Sequence, residues 1–438
     1  MAVEFSNQRR SLLSNQARVQ APYVKVSIGA YTFGVFSKTT ADPKDANGFY
    51  KAYNITYPNY IQSLTITKIN GQVNQYTLII NYPVRQTDDP NFFEKVFSSV
   101  SKTREIIFSY GDASMPTYIY KDEKAIITKI TQTFNLQSSS ISYTVSATSG
   151  AALGSSSCFS FNGTHKKPSD EIKRILMDPQ YGLRDIFTGI TDNNIGYLIE
   201  GMDADVDLEP KINISALDYI SYLVSCMMPE GSTTDNRSRD IYVLTIHDDT
   251  SYDRVYADRE TANGQEIVGA YCKVSKMSYL TKQSDAYELD IGYNTSTIVT
   301  NFTINQNENY ALFYDYNQEL CPEQYVSRIA DDGKWEDIFA PTNTSRNTLF
   351  STRPNDITWW TKITKYPISA SVTVQGLLRP ANLMTYLRLN VIFPGGHRHI
   401  SSGLYLITQQ TDTIDGNGYR TQLTLTKLSG DDSAQGVI

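Results

Sequence analysis

A stretch near the C-terminal end of this chain occurs a second time further upstream, and the repetition limits the folds that the chain can adopt. Residues 404–428 read as a β-hairpin, because two threonine-rich, apolar-containing runs flank the tetrapeptide 415–418 (Asp-Gly-Asn-Gly), whose residue types tolerate positive φ. A shift of 280 residues lays 127–150 over 407–430 without a gap. The identical positions are Ile127/Ile407, Thr128/Thr408, Thr131/Thr411, Thr133/Thr413, Thr144/Thr424, Ser149/Ser429 and Gly150/Gly430. The pattern indicates an internal repeat.

Two further correspondences occur in the same order in both halves, which matters because threonine-rich strands inflate chance identities. The first is a Tyr-x-Leu-x-Ile-x-Tyr strand, and the second is a helix start with aspartate at the N-cap, an aromatic pair and a β-branched residue one turn later. The strand residues are Tyr76, Leu78, Ile80 and Tyr82 in the first half and Tyr287, Leu289, Ile291 and Tyr293 in the second. The helix residues are Asp89, Phe92, Phe93 and Val96, and then Asp356, Trp359, Trp360 and Ile363. We therefore expect one small β-rich domain to be present twice.

This duplication predicts a mainly β protein with α+β modules. The expected parts are an N-terminal arm (1–22), the first β-rich domain (23–150), a mixed α/β module (151–265), the second β-rich domain (266–293 and 356–438) and an insertion within it (294–355). An insertion at a loop is tolerated because the entropy cost of loop closure rises slowly with loop length.

Local signals support the layout of the first domain. Alternation predicts strands from Tyr23 onward, and Asn70-Gly71 between 61–68 and 72–82 is typical of a type I′ hairpin. Asp89-Pro90 predicts a helix that runs to about Ser101, since proline is favoured at the first helical position.

The middle module has two helix signals of its own. One helix is expected to open at Pro168, and another at Ser215 with Asp218 as its capping-box partner, ending before Pro229. Residues 241–247 are predicted to form a strand.

The composition excludes several classes of protein. A net charge of -7 argues against a nucleic-acid clamp built on lysine and arginine. The four cysteines stand far apart, which favours reduced, buried thiols over a zinc site or a disulfide framework. Neither a signal peptide nor a membrane-spanning apolar run is recognised, so we expect synthesis and folding in a cytoplasm.

The search for catalytic or metal-binding patterns gives no enzyme and no cofactor. Asp203, Asp205 and Asp207 open like a calcium loop, but the glycine and glutamate that such a loop needs are absent, which favours a solvated acidic turn. His397 and His399 share a strand face without a third ligand at a marked spacing. The acidic group Asp248, Asp249 and Asp253 is explained equally well by a charged turn. We therefore expect no catalytic and no metal residues.

The repeated segments and their order in the chain resemble those of the baseplate hub family of phage tails. That family includes the late control protein of contractile phages and the hub part of type VI secretion spikes. The resemblance is carried by Gly403–Thr408, by Asp412–Leu425, by the Trp-Trp helix and following strand at Asp356–Leu378, and by the two tyrosine strands. The duplicated domain, the module between the copies and the insertion in the second copy match it as architecture. No lytic or spike domain is recognised after the terminal hairpin, so any wall-degrading activity would belong to a partner.

The resemblance implies two tube-like β-barrel domains in each subunit of a homotrimer, giving a pseudo-sixfold ring between a sixfold tail tube and a threefold spike. Implied partners are a tail tube or distal tail protein, a spike or central needle protein and other baseplate proteins, with transient passage of DNA through a polar, neutral or acidic lumen. The implied location is the virion tail baseplate, assembled in the host cytoplasm. The outward faces of two strands are the expected tube contacts: Ser142, Thr144 and Ser146, and Arg420, Gln422, Thr424 and Thr426.

The sequence leaves two alternative functions. Trp359 and Trp360 are candidates for sugar-stacking platforms of a carbohydrate-binding tail protein, although the matching Phe92-Phe93 favours core packing. A cell-wall-degrading tail protein is the second alternative.

Overall fold

The computed structural model describes these segments of the chain: 22–35, 60–98, 104–112, 120–227, 241–247, 261–262, 265–277, 287–292, 299–306, 368–375, 383, 386–399 and 401–430. The predicted N-terminal arm lies outside them, apart from Pro22.

The described part of the first 150 residues is mainly strand, as the period-2 alternation predicts. Its elements are β1 (Pro22–Ile28), β2 (Tyr31–Val35), β3 (Ile61–Ile69), β4 (Gln75–Pro83), α1 (Phe92–Ser98), β5 (Glu105–Asp112), β6 (Tyr120–Asn135) and β7 (Ser140–Ser149).

The middle of the chain is mixed. Its elements are β8 (Cys158–Phe161), β9 (Thr164–Lys166), α2 (Pro168–Met177), α3 (Leu183–Ile186), α4 (Ile195–Leu198), β10 (Val206–Leu208), β11 (Lys211–Ser215), α5 (Ala216–Cys226), β12 (Ile241–His247), β13 (Thr261–Ala262), β14 (Gln265–Glu266) and β15 (Tyr271–Met277).

The last part returns to strands. These are β16 (Tyr287–Gly292), β17 (Val299–Gln306), β18 (Ile368–Gln375), β19 (Tyr386–Ile392), β20 (Gly403–Asp415) and β21 (Gly418–Gly430). The protein is thus mainly β with few helices, as predicted. β17 lies within the range predicted to be an insertion, so part of that range belongs to the main sheet; Trp359, Trp360 and the predicted helix around them lie outside the described residues.

One 13-stranded sheet contains the strands of both ends of the chain. Its order is β17-β18-β21-β20-β3-β4-β7-β6-β5-β1-β2, with β19 pairing both β16 and β20. Two four-strand blocks stand side by side in this order, β17-β18-β21-β20 and β3-β4-β7-β6, and they meet where β20 pairs with β3.

The two blocks share the positions of their register shifts. β6 and β7 slip between Ile127 and Lys129, and β20 and β21 slip between Ile407 and Gln409, at the same two places in the repeated stretch. At these bulges the Thr128 and Thr408 hydroxyls each donate to a carbonyl of the facing strand, both at 3.1 Å. A second shift between Ile61 and Ser63 in the β3–β4 pair has a counterpart between Val299 and Asn301 in the β17–β18 pair.

The structure changes the gap-free alignment of the hairpins. Ile127 pairs with Ala147, whereas Ile407 pairs with Leu425. Equivalent residues are therefore 280 positions apart in the first strand of each hairpin (407 − 127) but 278 apart in the second strand (425 − 147). The reason is turn length, since residues 136–139 join the first hairpin and only 416–417 join the second. Thr144/Thr424, Ser149/Ser429 and Gly150/Gly430 are therefore not equivalent in register.

The two tyrosine strands also differ in their places. β4, with Tyr76, Leu78, Ile80 and Tyr82 buried, lies between β3 and β7. β16, which holds Tyr287, Leu289 and Ile291, pairs in parallel with β19, and Tyr293 lies outside the described residues. β18 occupies the place that corresponds to β4, because it pairs with β17 and β21 as β4 pairs with β3 and β7. The equivalence predicted from the Tyr-x-Leu-x-Ile-x-Tyr pattern is therefore corrected: a period-2 apolar strand fits either position.

Helix α1 closes the core of the first block. Phe93 is fully buried, with its ring centroid 5.4 Å from that of Phe33 on β2 and 5.1 Å from that of Tyr143 on β7, so the sheet curls around it. The Asp89 carboxylate accepts from the amide of Asn91 at 2.9 Å and caps the turn before the helix, which is shorter than predicted.

The turn between β3 and β4 differs from the predicted type I′. Gly71 has φ of +69°, but Asn70 is not at positive φ, and a type I′ turn needs both. β4 accordingly starts at Gln75 rather than at 72.

The middle module has its own apolar core, with Ile172, Ile175 and Leu223 among its buried residues. The predicted capping box is present, since the Ser215 hydroxyl accepts from the Asp218 amide at 3.1 Å. The core also includes Val274, because β15 pairs with β12, so the module extends past the predicted boundary at 265.

Candidate functional site

The eight strands of the two blocks share one polar face. Alternation along each strand sends apolar side chains to the core and small polar ones to the opposite side, and register aligns the polar positions across the sheet. Polar residues on this face with described side chains include Ser63, Thr65, Thr67, Gln75, Thr77, Asn81, Lys129, Thr131, Thr133, Ser142, Thr144, Ser146, Thr148, Thr303, Ser369, Ser371, Thr373, Gln409, Thr411, Thr413, Asp415, Arg420, Gln422, Thr424 and Thr426. The apolar Ile69 and Ile79 lie on the same face.

All seven predicted contact residues lie on this face: Ser142, Thr144 and Ser146 on β7, and Arg420, Gln422, Thr424 and Thr426 on β21. β7 and β21 are separated by three strands, so the structure places the residues on one surface but not in one cluster. Their role as tube contacts stays a prediction.

The chemistry of this face is hydroxyl and amide. Among its described side chains only Lys129, Asp415 and Arg420 are charged, and Asp415 and Arg420 form an ion pair at 2.5 Å. Gln422 donates to the hydroxyl of Ser371 at 3.0 Å, so polar side chains of neighbouring strands hydrogen-bond to each other here. A hydrated surface of this kind offers little net charge to hold a polyanion.

Opposite the polar face, a buried polar cluster lies where β3 meets β20. The Lys68 ammonium contacts the buried Glu123 carboxylate at 2.8 Å and lies 4.3 Å from the centre of the Tyr120 ring. The hydroxyls of Tyr76 and Tyr110 donate to the same carboxylate at 3.0 and 3.1 Å. Burial raises the pKa of Tyr110 well above its usual value, and the charge of Glu123 adds to the effect.

Asp412 is the second carboxylate of this cluster and is fully buried. It accepts hydrogen bonds from Tyr419 at 3.0 Å, from Thr421 at 2.6 Å and from the Gln410 amide nitrogen at 2.6 Å. Desolvation raises the pKa of Asp412 above its ordinary value, although these hydrogen bonds and Lys68 act in the other direction. The Gln410 amide oxygen is buried without a hydrogen-bond partner.

This cluster was not among the sites predicted from the sequence. A signal for it exists, because Gln410 and Asp412 occupy positions of β20 whose neighbour two residues on, Ile414, is apolar and buried. Polar residues at core positions of a strand require buried partners. The hydroxyls that donate to Asp412 lie on β21 of the same hairpin, whereas Lys68 and Tyr120 come from β3 and β6, far away in sequence.

β6 forms an open edge of the sheet along its C-terminal half. β5 pairs with β6 only as far as Ile126, and in the described part of the chain residues 128–135 pair with β7 alone. Ile130 and Phe134 lie on the core side of this half-strand yet are 37% and 61% exposed. We term this half-strand the β6 edge. An exposed apolar edge invites pairing with another strand.

The second open edge is that of β17, at the other end of the two blocks. Its described residues pair with β18 on one side only. We term its other side the β17 edge. Thr303 of this strand is exposed on the polar face.

The remaining candidates have structural partners. Asp203 is buried and accepts from the amide and hydroxyl of Ser169 at the start of α2, at 2.9 and 2.5 Å. Asp207 pairs with His165 at 2.8 Å, and His399 with the hydroxyl of Ser401 at 2.6 Å.

No group of three metal-ligating side chains forms among the described residues, which leave out Asp248, Asp249 and Asp253. Cys226 and Cys272 are buried free thiols as predicted, whereas Cys158 is exposed and Cys321 lies outside the described residues. None of the described helices has the length and apolarity needed to span a membrane.

No protein-family model and no curated protein sequence matches this chain. Its fold is similar to solved structures of tail proteins. A tail protein of Neisseria meningitidis MC58 is 11% identical, with a TM-score of 0.45 and coverage of 93% of this chain and 96% of that one. The 43 kDa tail protein of prophage MuSo2 from Shewanella oneidensis is 9% identical, with a TM-score of 0.46 and coverage of 94% and 100%.

A type VI secretion system component of E. coli is also similar, at 10% identity, a TM-score of 0.39 and coverage of 84% of this chain and 74% of that one. These neighbours agree with the resemblance to phage tail and type VI spike proteins found in the sequence.

Proposed function

We propose that this chain is a structural hub protein of a phage or phage-derived tail, in which three copies close into a pseudo-sixfold ring around a channel. The observation that carries the proposal is the pair of four-strand blocks that follow each other in one sheet with shared bulges and one open edge at each end. Two equivalent blocks per chain would give six positions from three chains, which a threefold-to-sixfold adaptor requires.

The open edges supply the means of closure. The β6 edge and the β17 edge are the two ends of the same eight-strand array, so pairing one with the other joins chains head to tail. Such heterologous contacts form rings when the rotation closes. The number three comes from the resemblance to hub proteins.

The polar face is proposed to line the channel. DNA that passes through must not be held, and side chains that are almost all hydroxyls and amides release few counterions on contact with phosphate. On this reading Ser142, Thr144 and Ser146, together with the polar residues of β21, face the lumen. This proposal replaces the tube contacts expected for these residues from the sequence, and contacts to a tail tube would then come from the rims of the ring.

The proposed partners are a tail tube or distal tail protein on one side of the ring and a spike or central needle protein on the other, in a tail baseplate assembled in the host cytoplasm. The role proposed is mechanical, without a catalytic step of its own.

The native mass in solution, measured by light scattering on a size-exclusion peak, tests this proposal. A mass of three times the 49.3 kDa chain, alone or after addition of spike or tube protein, is the expected result. A chain that stays monomeric with both partners present would contradict the adaptor role.

A further inference from the structure

We infer that the ring is joined by the β6 edge of one chain and the β17 edge of a second copy, in the register that β20 and β3 already form within the chain. This inference rests on the proposed ring and adds the strands and the residue pairs of its seams. We use "internal seam" for the β20–β3 pairing and "subunit seam" for the proposed β6–β17 pairing.

The internal seam provides the template. β20 and β3 pair antiparallel along six successive positions, with Thr413 opposite Thr65 and Ile414 opposite Leu64. Here the end of one four-strand block meets the start of the other. A subunit seam would repeat the same meeting between chains.

The shared bulges fix which residues correspond. The shift at Ile127 in β6 and at Ile407 in β20 makes Thr133 the counterpart of Thr413. The shift at Ile61 in β3 and at Val299 in β17 makes Thr303 the counterpart of Thr65. The register of the internal seam then determines the register of the subunit seam. A shift by one residue is excluded, because it would exchange the two faces of the strand.

The transferred register gives a specific set of pairs across the subunit seam. They are Ile130 opposite Gln306, Thr131 opposite Asn305, Gln132 opposite Ile304, Thr133 opposite Thr303 and Phe134 opposite Phe302, the second residue of each pair belonging to the second copy.

The β6 side chains suit a seam that forms after the subunit has folded. Where β20 carries Gln410 and Asp412 in the buried cluster, the corresponding positions of β6 are Ile130 and Gln132. The internal seam buries ionisable groups that fold together with their partners. The β6 edge instead presents the Gln132 amide, whose nitrogen donates to the exposed Glu94 carboxylate, between the exposed Ile130 and Phe134. Covering these apolar groups removes them from water, which favours association.

Paired cysteines test the register. In a background without the exposed Cys158 and without Cys321, the variant Thr133→Cys/Thr303→Cys places one thiol on each side of the subunit seam, and both threonines are exposed in the chain. The matched control is Thr65→Cys/Thr413→Cys, the same pair at the internal seam. A second control, Thr131→Cys/Thr303→Cys, is out of register by two positions, beyond the usual reach of a disulfide.

Mild oxidation followed by a non-reducing gel should give covalent dimers and trimers for the in-register pair, an intrachain bond for the internal pair, and at most about a tenth of the intermolecular product for the out-of-register pair. If the unoxidised variant has the mass of a ring and the internal control oxidises, yet the in-register pair gives no more intermolecular product than the out-of-register one, the register is wrong while the ring stands. A monomeric mass for the unmodified protein would overturn the ring and this inference together.

A second variant measures the edge without a cross-link. Phe134→Lys places a charge on the β6 edge, where the side chain is exposed in the single chain, so the subunit should fold. Its dissociation constant for self-association should rise about tenfold or more, in line with losing the burial of one large apolar side chain. Ile212→Lys, on an exposed residue of the middle module, is the control and should leave association unchanged. Equal association of both variants would overturn the inference.

Discussion

Replacing Asp412 with alanine should loosen the β20 side of the internal seam. The substitution takes away the acceptor of three buried donors, Tyr419, Thr421 and the Gln410 amide. A buried donor left without an acceptor costs about 1 to 3 kcal/mol, and the Gln410 amide keeps the Tyr120 hydroxyl at 3.5 Å, so Asp412→Ala should lower the local stability of the seam by about 2 kcal/mol or more.

The variant Asp412→Asn separates the loss of hydrogen bonds from the loss of charge. Asparagine keeps an oxygen for Tyr419 and Thr421, and its amide can donate to the Gln410 oxygen, which lacks a partner in the structure, once the Gln410 amide turns over. We expect a change within about 1 kcal/mol at acidic pH, since both partners of this neutral contact remain hydrogen-bonded.

The pH dependence has a definite sign. Because burial raises the pKa of Asp412, the folded chain binds the proton more tightly than the unfolded chain. The contribution of Asp412 to stability is therefore fully present below the ordinary aspartate pKa and is lost as pH rises through the folded value. Asp412→Asn has no such loss, so its stability relative to the unmodified protein should improve from acidic to neutral pH.

Hydrogen exchange followed by mass spectrometry on peptides from β3 and β20 is the assay, corrected for the intrinsic exchange rate at each pH, because it reports local opening in a chain of several modules. Gln422→Ala, on the exposed polar face, is the control. Equal exchange in Asp412→Ala and Asp412→Asn, or a stability difference between Asp412→Asn and the unmodified protein that does not change with pH, would refute the reasoning.

Three further predictions concern other parts of the molecule. Phe93→Ala should destabilise the first block by about 3 to 5 kcal/mol, because it leaves a cavity among packed aromatic rings; faster hydrogen exchange across β4 and β7 checks this, and unchanged exchange would contradict it. Ser215→Ala should cost about 1 kcal/mol through loss of the α5 N-cap, measured by exchange of the α5 amides, with Ser215→Asp as a control that restores the cap. The variant Thr144→Lys/Thr424→Lys should make the assembled protein retain DNA in a way that weakens as salt rises, whereas the unmodified protein should not; equal retention by both at low salt would argue against a channel-lining face.

Local structure was predictable from the sequence where neighbouring residues determine it. The alternation of residue types along β7 predicts which face of the strand is buried, and the pair Ser215 and Asp218 predicts the start of α5. Both signals act between residues that are close neighbours in the chain. The terminal hairpin and its upstream counterpart also form as predicted. The resemblance to phage tail proteins agrees with the structural neighbours found.

The features that could not be predicted from the sequence depend on pairing between strands that are distant in the chain. β16 and β18 both read as apolar strands, and only tertiary pairing decides that β18 takes the place of β4 while β16 runs parallel to β19. β17 was placed in an insertion because the second half is longer than the first between its tyrosine strand and its final hairpin, and residues 294–355 were assigned to that excess. The cluster joins the hydrogen bonds of Asp412 within the β20–β21 hairpin to Glu123 on β6 and Lys68 on β3, and only tertiary pairing brings these two parts together.

End-on averages of the particle by electron microscopy, analysed for rotational symmetry, test the central claim most directly. Three chains with two equivalent blocks each predict a strong sixfold component at the radius of the channel wall and a threefold component from the middle modules, of which each chain has only one. Images with only a threefold component at every radius would show that the two blocks are not equivalent in the assembly. Images without a central channel would contradict the ring itself.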